Sequence, residues 1–228
     1  MKIKLAHILT DLSAEREIAS VESLSVLSNF GIQYIQQINI PYKGEDWKSI
    51  KNWANDIYPH HGPGHYGAFQ SFKKAILENF TSDIDGLILC ECDCVLSVDP
   101  LVFSEQVKKA EMFCKDKELS LYSFGSSSIN DVVHSPAHEF DPKYSHSYVT
   151  DKIVCAHCIF LPASEREFLR EEISYRPWET PDVWFNMVFH TRGVSRFGIS
   201  SETMSKQHPG ISLIDGVWKD EKIYKGIY

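Results

Sequence analysis

Two acids separated by one residue, Glu91 and Asp93, are the first candidates for chemistry in this chain. They follow an unbroken apolar run, Leu87-Ile88-Leu89-Cys90, of the kind found in a strand buried on both faces. In an extended chain, residues two apart share a face, so the two carboxylates would point one way and Cys90, Cys92 and Cys94 the other. Paired acids repel. They are best tolerated where a divalent cation sits between them and a bound anion such as a diphosphate. In open α/β sheets, ligands gather at the carboxyl ends of the strands, which makes this strand end a candidate metal site. The alternative is a strand running into a solvated acidic turn.

A second constellation is Tyr175-Arg176-Pro177-Trp178-Glu179-Thr180-Pro181-Asp182-Val183-Trp184. Thr180 can cap a helix that begins at Pro181, with Asp182 in its first turn. Asp182 could serve only the helix dipole, or it could act as a base beside a sugar-sized pocket walled by Trp178 and Trp184. The histidines of the 59–65 segment and His134, His138 and His146 lie among glycines and prolines at no fixed spacing, which reads as polar loop. The six cysteines read as small buried hydrophobes of a reducing compartment. Cys155 and Cys158, if they lie on a strand, face opposite sides and cannot chelate one ion together.

The elements that must position these residues follow from the apolar pattern. Ile3 to Leu9 predicts a first strand. Ser13 with Glu15 and Glu17 predicts the start of a helix whose stripe is Ile18, Val21, Leu24, Leu27 and Phe30, stopped by Gly31. Ile32 to Ile40 predicts a second strand, completing the β–α–β unit of a parallel sheet. A short helix is expected across Ile50, Trp53, Ile57 and Tyr58. Tyr66 to Phe80 predicts a helix that buries Phe69, Phe72, Ala75, Ile76 and Phe80 and brings the small residues Gly67 and Ser71 to one face. A helix carrying Phe103, Val107, Ala110 and Phe113 and a strand over 119–124 come next. A long irregular segment spans 125–150. A strand over 152–161, a charged helix over 163–173, a strand over 194–199 and a polar tail over 215–228 complete the chain. With 228 residues, 43% of them hydrophobic, the sequence suits one α/β domain with a mostly parallel central sheet flanked by helices.

The formal charge of −8 argues against a nonspecific nucleic-acid binder, which needs a basic face. No apolar run reaches the length of a membrane span, and the first residues lack the apolar core and cleavage site of a signal peptide. The expected location is therefore the cytoplasm, or a host cytoplasm if the protein is viral.

Four features in order resemble a GT-A-fold glycosyltransferase of the lipopolysaccharide-type, viral or bacterial kind. They are the N-terminal β–α–β unit, the helix Tyr66-Gly67…Ser71-Phe72-Lys73-Lys74-Ala75, Glu91-Cys92-Asp93 in the place of the family's DxD, and Gln207-His208-Pro209-Gly210-x-Ser212. The resemblance implies a single domain over 1–228. Residues 1–100 would form the nucleotide-sugar half and 101–214 the acceptor half, followed by the tail. It implies that Asp93, Glu91 and His208 hold Mn²⁺, or Mg²⁺ in its place, against a nucleoside diphosphate, with Asp93 the direct ligand and Glu91 acting at longer reach. It further implies that Leu9, Thr10 and Asp11 line the nucleoside pocket, that Gly67 and Ser71 lie beside the nucleotide sugar, and that Lys206 meets a phosphate. In an inverting enzyme of this kind Asp182 would be the base, with Glu179 second. The donor would be a nucleoside-diphosphate sugar, uridine-linked by preference. The acceptor would be a glycan or glycoconjugate, with a hydroxymethylated DNA base as an alternative. Three other readings compete. A sugar nucleotidyltransferase would need a glycine-rich loop after the first strand, and ILTDLSAERE has no glycine. A haloacid-dehalogenase-type phosphatase would need Asp first and the motif on the first strand. A non-enzymatic carbohydrate-binding module would need neither metal nor turnover.

Overall fold

The computed structural model describes residues 1–10, 14–39, 44, 62–125, 139–140, 144, 147–153, 155–193, 196–200, 202–211 and 218–219. Asp11, Ser13, the expected helix around Trp53, the 59–61 residues of the histidine-bearing loop, His134, His138, His146 and most of the tail lie outside the described residues.

The N-terminal unit forms as the sequence predicts. Strand β1 (Ile3–Leu9) is followed by helix α1 (Glu15–Ser25), a 3-10 turn over Val26–Phe30, and β2 (Ile32–Ile38), which pairs with β1 in parallel. Gly31 closes the turn at φ 82°, a left-handed conformation that glycine adopts without steric penalty. Helix α1 begins after Ala14, which holds the N-cap position without a side-chain capping bond. Helix α2 (Pro63–Asn79) leads into β3 (Gly86–Cys90), every residue of which is buried. Strand β4 (Cys94–Leu96) and helix α3 (Pro100–Lys117) follow, with Asp99 capping α3 by accepting the Leu101 N–H at 2.8 Å.

The second half supplies β5 (Leu121–Ser123), β6 (Glu139–Phe140), β7 (Ser147–Thr150), β8 (Cys158–Pro162), α4 (Arg166–Tyr175), α5 (Pro181–Thr191), β9 (Phe197–Ser200), β10 (Ser205–Gln207), β11 (Gly210–Ile211) and β12 (Trp218–Lys219). The main sheet has the order β2-β1-β3-β8-β5-β9-β7-β6. Strands β1, β2, β3, β5, β6 and β9 run one way and only β7 and β8 run against them, so the sheet is mostly parallel in direction. Two short ribbons, β4 with β10 and β11 with β12, stand apart from it. The 215–228 segment thus carries a strand residue pair, Trp218–Lys219, where the sequence suggests only a polar tail.

Strand alternation divides the core into two layers. Ala6, Ile8, Leu87 and Leu89 face α2, α4 and α5 through Phe72, Ile76, Leu169, Phe185 and Phe189. Ile3, Leu5, Ile88 and Cys90 face the other way, onto Leu24, Phe103, Val107 and Phe113 of α1 and α3. The aligned registers of β1, β2 and β3 bring Leu9, Ile38 and Cys90 to one edge of the sheet.

Candidate active site

Strand β3 ends at Cys90 and the chain turns at once, with the Cys94 N–H donating to the Glu91 carbonyl at 3.1 Å. The acid pair therefore lies on a tight turn and not on an extended strand. Its alternation argument fails in one particular. Cys90 and Cys94 enter the core, whereas Cys92 leaves them and accepts a hydrogen bond from Arg16 Nη2 at 3.2 Å. The turn still brings the two carboxylates together.

Asp93 is buried, and one of its oxygens, Oδ2, lies 3.4 Å from Arg16 Nη1. The other, Oδ1, is buried without a hydrogen-bond partner. Burial pushes the Asp93 carboxyl above its usual range, against the pull of Arg16 and then His157. Glu91 accepts from Gln207 Nε2 at 3.3 Å. Burial, and then the charges of Asp93 and Asp182, push the Glu91 carboxyl up to about 8.

His208 reaches this turn through β10. The antiparallel register sets Gln207 opposite Cys94, and the His208 N–H donates to the Asp93 carbonyl at 2.6 Å. Its Nδ1 meets the Pro209 carbonyl at 2.8 Å, which leaves Nε2 as the ring atom for a ligand. The same alternation that turns Gln207 toward Glu91 turns Lys206 to the opposite face of the ribbon. Lys206 lies opposite Val95 in the β10–β4 register.

Thr10 and Asp93 are bridged by the first turn of α1. Thr10 donates to the Glu17 carboxylate through its N–H, at 3.0 Å, and its hydroxyl, at 2.6 Å. Arg16, next to Glu17, contacts Asp93. Leu9 is buried, and its carbonyl accepts the Asn39 N–H at 2.8 Å. Gly67 and Ser71 are one helical turn apart, and the Ser71 hydroxyl donates to the Gly67 carbonyl at 2.9 Å. The Ser71 carbonyl in turn accepts from Gln37 Nε2 near the end of β2, at 3.1 Å.

Thr180 holds the N-cap position of α5 with Pro181 as the first helical residue, but its side chain makes no capping bond. Asp182 instead accepts two N–H groups, from Val183 at 2.9 Å and from Cys155 at 3.2 Å. Cys155 adopts φ 69°, a left-handed conformation that is uncommon for a residue with a side chain. That conformation breaks the expected 152–161 strand, delays β8 until Cys158, and aims the Cys155 N–H at Asp182. Glu179 is fully buried, and its carboxylate accepts the Thr180 N–H at 2.8 Å. The tryptophans do not wall a pocket. Trp178 and Trp184 are 3% and 1% exposed and belong to the core, Trp178 edge-on to Tyr66 and Trp184 against Phe69 and Phe185.

Two residues of the site, Arg16 and His157, are absent from the sequence reading, and Gln207 enters it only as the first residue of the Gln-His-Pro-Gly motif. His157 is buried, with Nδ1 3.0 Å from Cys155 Sγ, Nε2 3.3 Å from the Ser205 carbonyl, and its own carbonyl accepting the Glu91 N–H at 2.9 Å.

No family model matches the sequence, and no curated protein matches it. Solved structures do match in shape. A glycosyltransferase involved in the glycosylation of the major capsid of PBCV-1 aligns over 93% of this chain and 95% of its own, at 10% identity and a TM-score of 0.53. The chain has the GT-A glycosyltransferase fold. Weaker matches to mouse xyloside xylosyltransferase 1 (85% of this chain, 83% of that one, 10% identity, TM-score 0.39) and to galactosyltransferase LgtC with donor and acceptor sugar analogues (81%, 70%, 9%, 0.35) are too distant to carry weight. Among the described residues, no helix is long and apolar enough to cross a membrane.

Proposed function

We propose that this chain is a glycosyltransferase that moves a sugar from a nucleoside-diphosphate sugar to an acceptor hydroxyl at the carboxyl edge of β1, β2 and β3. The observation that carries the reading is the turn after β3. Two acids converge there, one buried carboxylate oxygen of Asp93 has no hydrogen-bond partner, and His208 is fastened to the same turn.

The donor set suits a hard divalent cation. Asp93 Oδ1 and Glu91 offer oxygens whose mutual repulsion a cation relieves, and His208 adds one imidazole, a combination suited to Mn²⁺ or Mg²⁺. When bound, such an ion would offset the negative charge that develops on a leaving diphosphate. The chain's own residues do the rest. Arg16 holds one oxygen of Asp93 and so fixes the direction of the other. Gln207 orients Glu91. Thr10 follows the end of β1, and Gly67 and Ser71 lie within α2 on the donor side.

Asp182 is the residue suited to take the proton from the acceptor hydroxyl. Its two N–H donors, from Cys155 and Val183, hold the carboxylate in one orientation. Glu179, sealed in the core, serves as support for the start of α5 and not as a base. A side-chain base on the acceptor side fits transfer with inversion. A uridine-linked donor and a glycan or glycoconjugate acceptor complete the proposal. The test is a panel of nucleotide sugars with Mn²⁺, scored for release of nucleoside diphosphate with and without candidate glycans. Release for one donor, lost in Asp93→Asn, supports the reading. No release from any donor, together with glycan binding unaffected by metal, would replace it with a binding module.

A further inference from the structure

Behind the acid-bearing turn, on the core side, three cysteines meet that the sugar-transfer reading does not use. Cys90 and Cys94 bracket the turn, and Cys158 lies directly opposite Cys90 in the β3–β8 register. All three are buried, and all three sulfurs lie within 4.8 Å of one another. Cys90 Sγ is 3.5 Å from Cys158 Sγ.

We infer that Cys90, Cys94 and Cys158 form a thiolate site for a soft transition metal, zinc foremost, that fastens the acid-bearing turn to β8. Two features support it. The first is spacing. Two cysteines with three residues between them, at either end of a tight turn, fall within the spacing seen in zinc-binding knuckles. The second is the distance between sulfurs. Tetrahedral zinc with Zn–S near 2.3 Å sets its sulfurs about 3.8 Å apart, so the observed cluster needs adjustments of about 1 Å or less.

A fourth donor is at hand. Ser205 Oγ of β10 is buried without a hydrogen-bond partner and adjoins Cys158. Gly125 leaves room beside it, since a Cβ at that position would come within 2.7 Å of the Ser205 hydroxyl. The three thiolates supply the affinity, and the Ser205 hydroxyl is a weak oxygen donor in place of the usual fourth cysteine or histidine. Hard cations prefer the oxygen-rich site on the other side of the turn, so the two sites are distinguished by ligand type. Binding exchanges the three thiol protons for one dication, with the protons passing to solvent.

The alternative is that the three thiols simply fill the core as small hydrophobes. Three measurements separate the two. Wild-type protein purified without chelator is analysed for metal, the metal-free protein is titrated with Co²⁺, and both are repeated on Cys94→Ser, Cys158→Ser, Glu91→Gln and Asp93→Asn. The inference expects one zinc per chain and a near-ultraviolet sulfur-to-cobalt charge-transfer band. Metal content and band should fall below about a tenth in the cysteine variants and persist in the acid variants. Wild-type protein that takes up no zinc and gives no sulfur–cobalt band would overturn it. So would a band retained in Cys158→Ser. The wild-type cobalt spectrum decides the matter even if a cysteine variant does not fold. Because the probes are the metals alone, failure here leaves the nucleotide-sugar reading intact, and loss of nucleotide-sugar turnover leaves this site intact.

Discussion

Replacing Glu91 by Gln keeps the shape of the side chain and its contact with Gln207 but removes the charge. The consequence can be worked from the structure. Burial and the neighbouring charges of Asp93 and Asp182 carry the Glu91 carboxyl from an ordinary 4.5 to about 8. A displacement of that size corresponds to about 5 kcal/mol. Glu91 retains some contact with solvent, and screening reduces the expected figure to roughly half, about 2–3 kcal/mol. In the folded protein the group holds its proton more tightly than in the unfolded chain. Its contribution to stability is therefore fully present below 4.5 and is lost as pH rises through about 8. Chelator-treated wild type should lose about 2–3 kcal/mol relative to Glu91→Gln between roughly pH 5 and pH 9. Adding Mn²⁺ at the alkaline end should restore wild type and leave the variant nearly unmoved. Urea unfolding at a series of pH values, with and without the ion, reads both effects. Parallel stability curves for the two proteins across that range would refute the reasoning, because they would mean that Glu91 is not held in a repulsive, buried acid pair.

Other outcomes follow from neighbouring groups. Burial pushes the His7 imidazole down to about 4, against a backbone hydrogen bond at Glu91. The stability it contributes is present above 6.5 and is lost as pH falls toward 4, so His7→Gln should flatten the acid side of the stability profile seen by thermal denaturation. Asp182→Asn should lower turnover at least about a hundredfold while nucleotide affinity stays within about twofold of wild type, read as a split between kcat and donor Kd. Gly125→Ala would place a Cβ 1.8 Å from His157 Nε2, and the forced shift of that ring should destabilise the protein by about 1–3 kcal/mol in urea unfolding.

The sheet was readable because its strands are buried on both faces. Gly86–Cys90 is a continuous apolar run, and Ile3–Leu9 is one interrupted only by Lys4 and His7, and few other conformations bury such runs so fully. The acid pair was readable as a pair, since Glu91 and Asp93 follow that run directly. The way they meet was not, because the turn depends on the Cys94-to-Glu91 backbone bond and on β10 arriving from more than a hundred residues away. Helix α1 shows the opposite failure. Its apolar spacing predicts Ile18 inside, yet Ile18 is exposed while Arg16, Glu17 and Ser20 are buried. Those three bond Asp93, Thr10 and the Cys94 carbonyl, so the helix turns a polar face inward toward the site. Hydrophobic periodicity assigns polar residues to solvent by default and is misleading where they serve a buried site. The tryptophans near Asp182 mislead in the complementary way. Their composition suggests a sugar platform, but Phe69, Tyr66 and Phe185 enclose them.

The central claim is that Asp93, on the turn after β3, joins a divalent cation to the diphosphate of the donor. Calorimetric titration of uridine diphosphate into wild type and Asp93→Asn, each with Mn²⁺ and with chelator, tests it most directly. The account predicts binding to wild type that needs Mn²⁺ and that weakens at least about tenfold in the variant, about 1.4 kcal/mol. Equal affinity with and without the ion, or an unweakened variant, would contradict it.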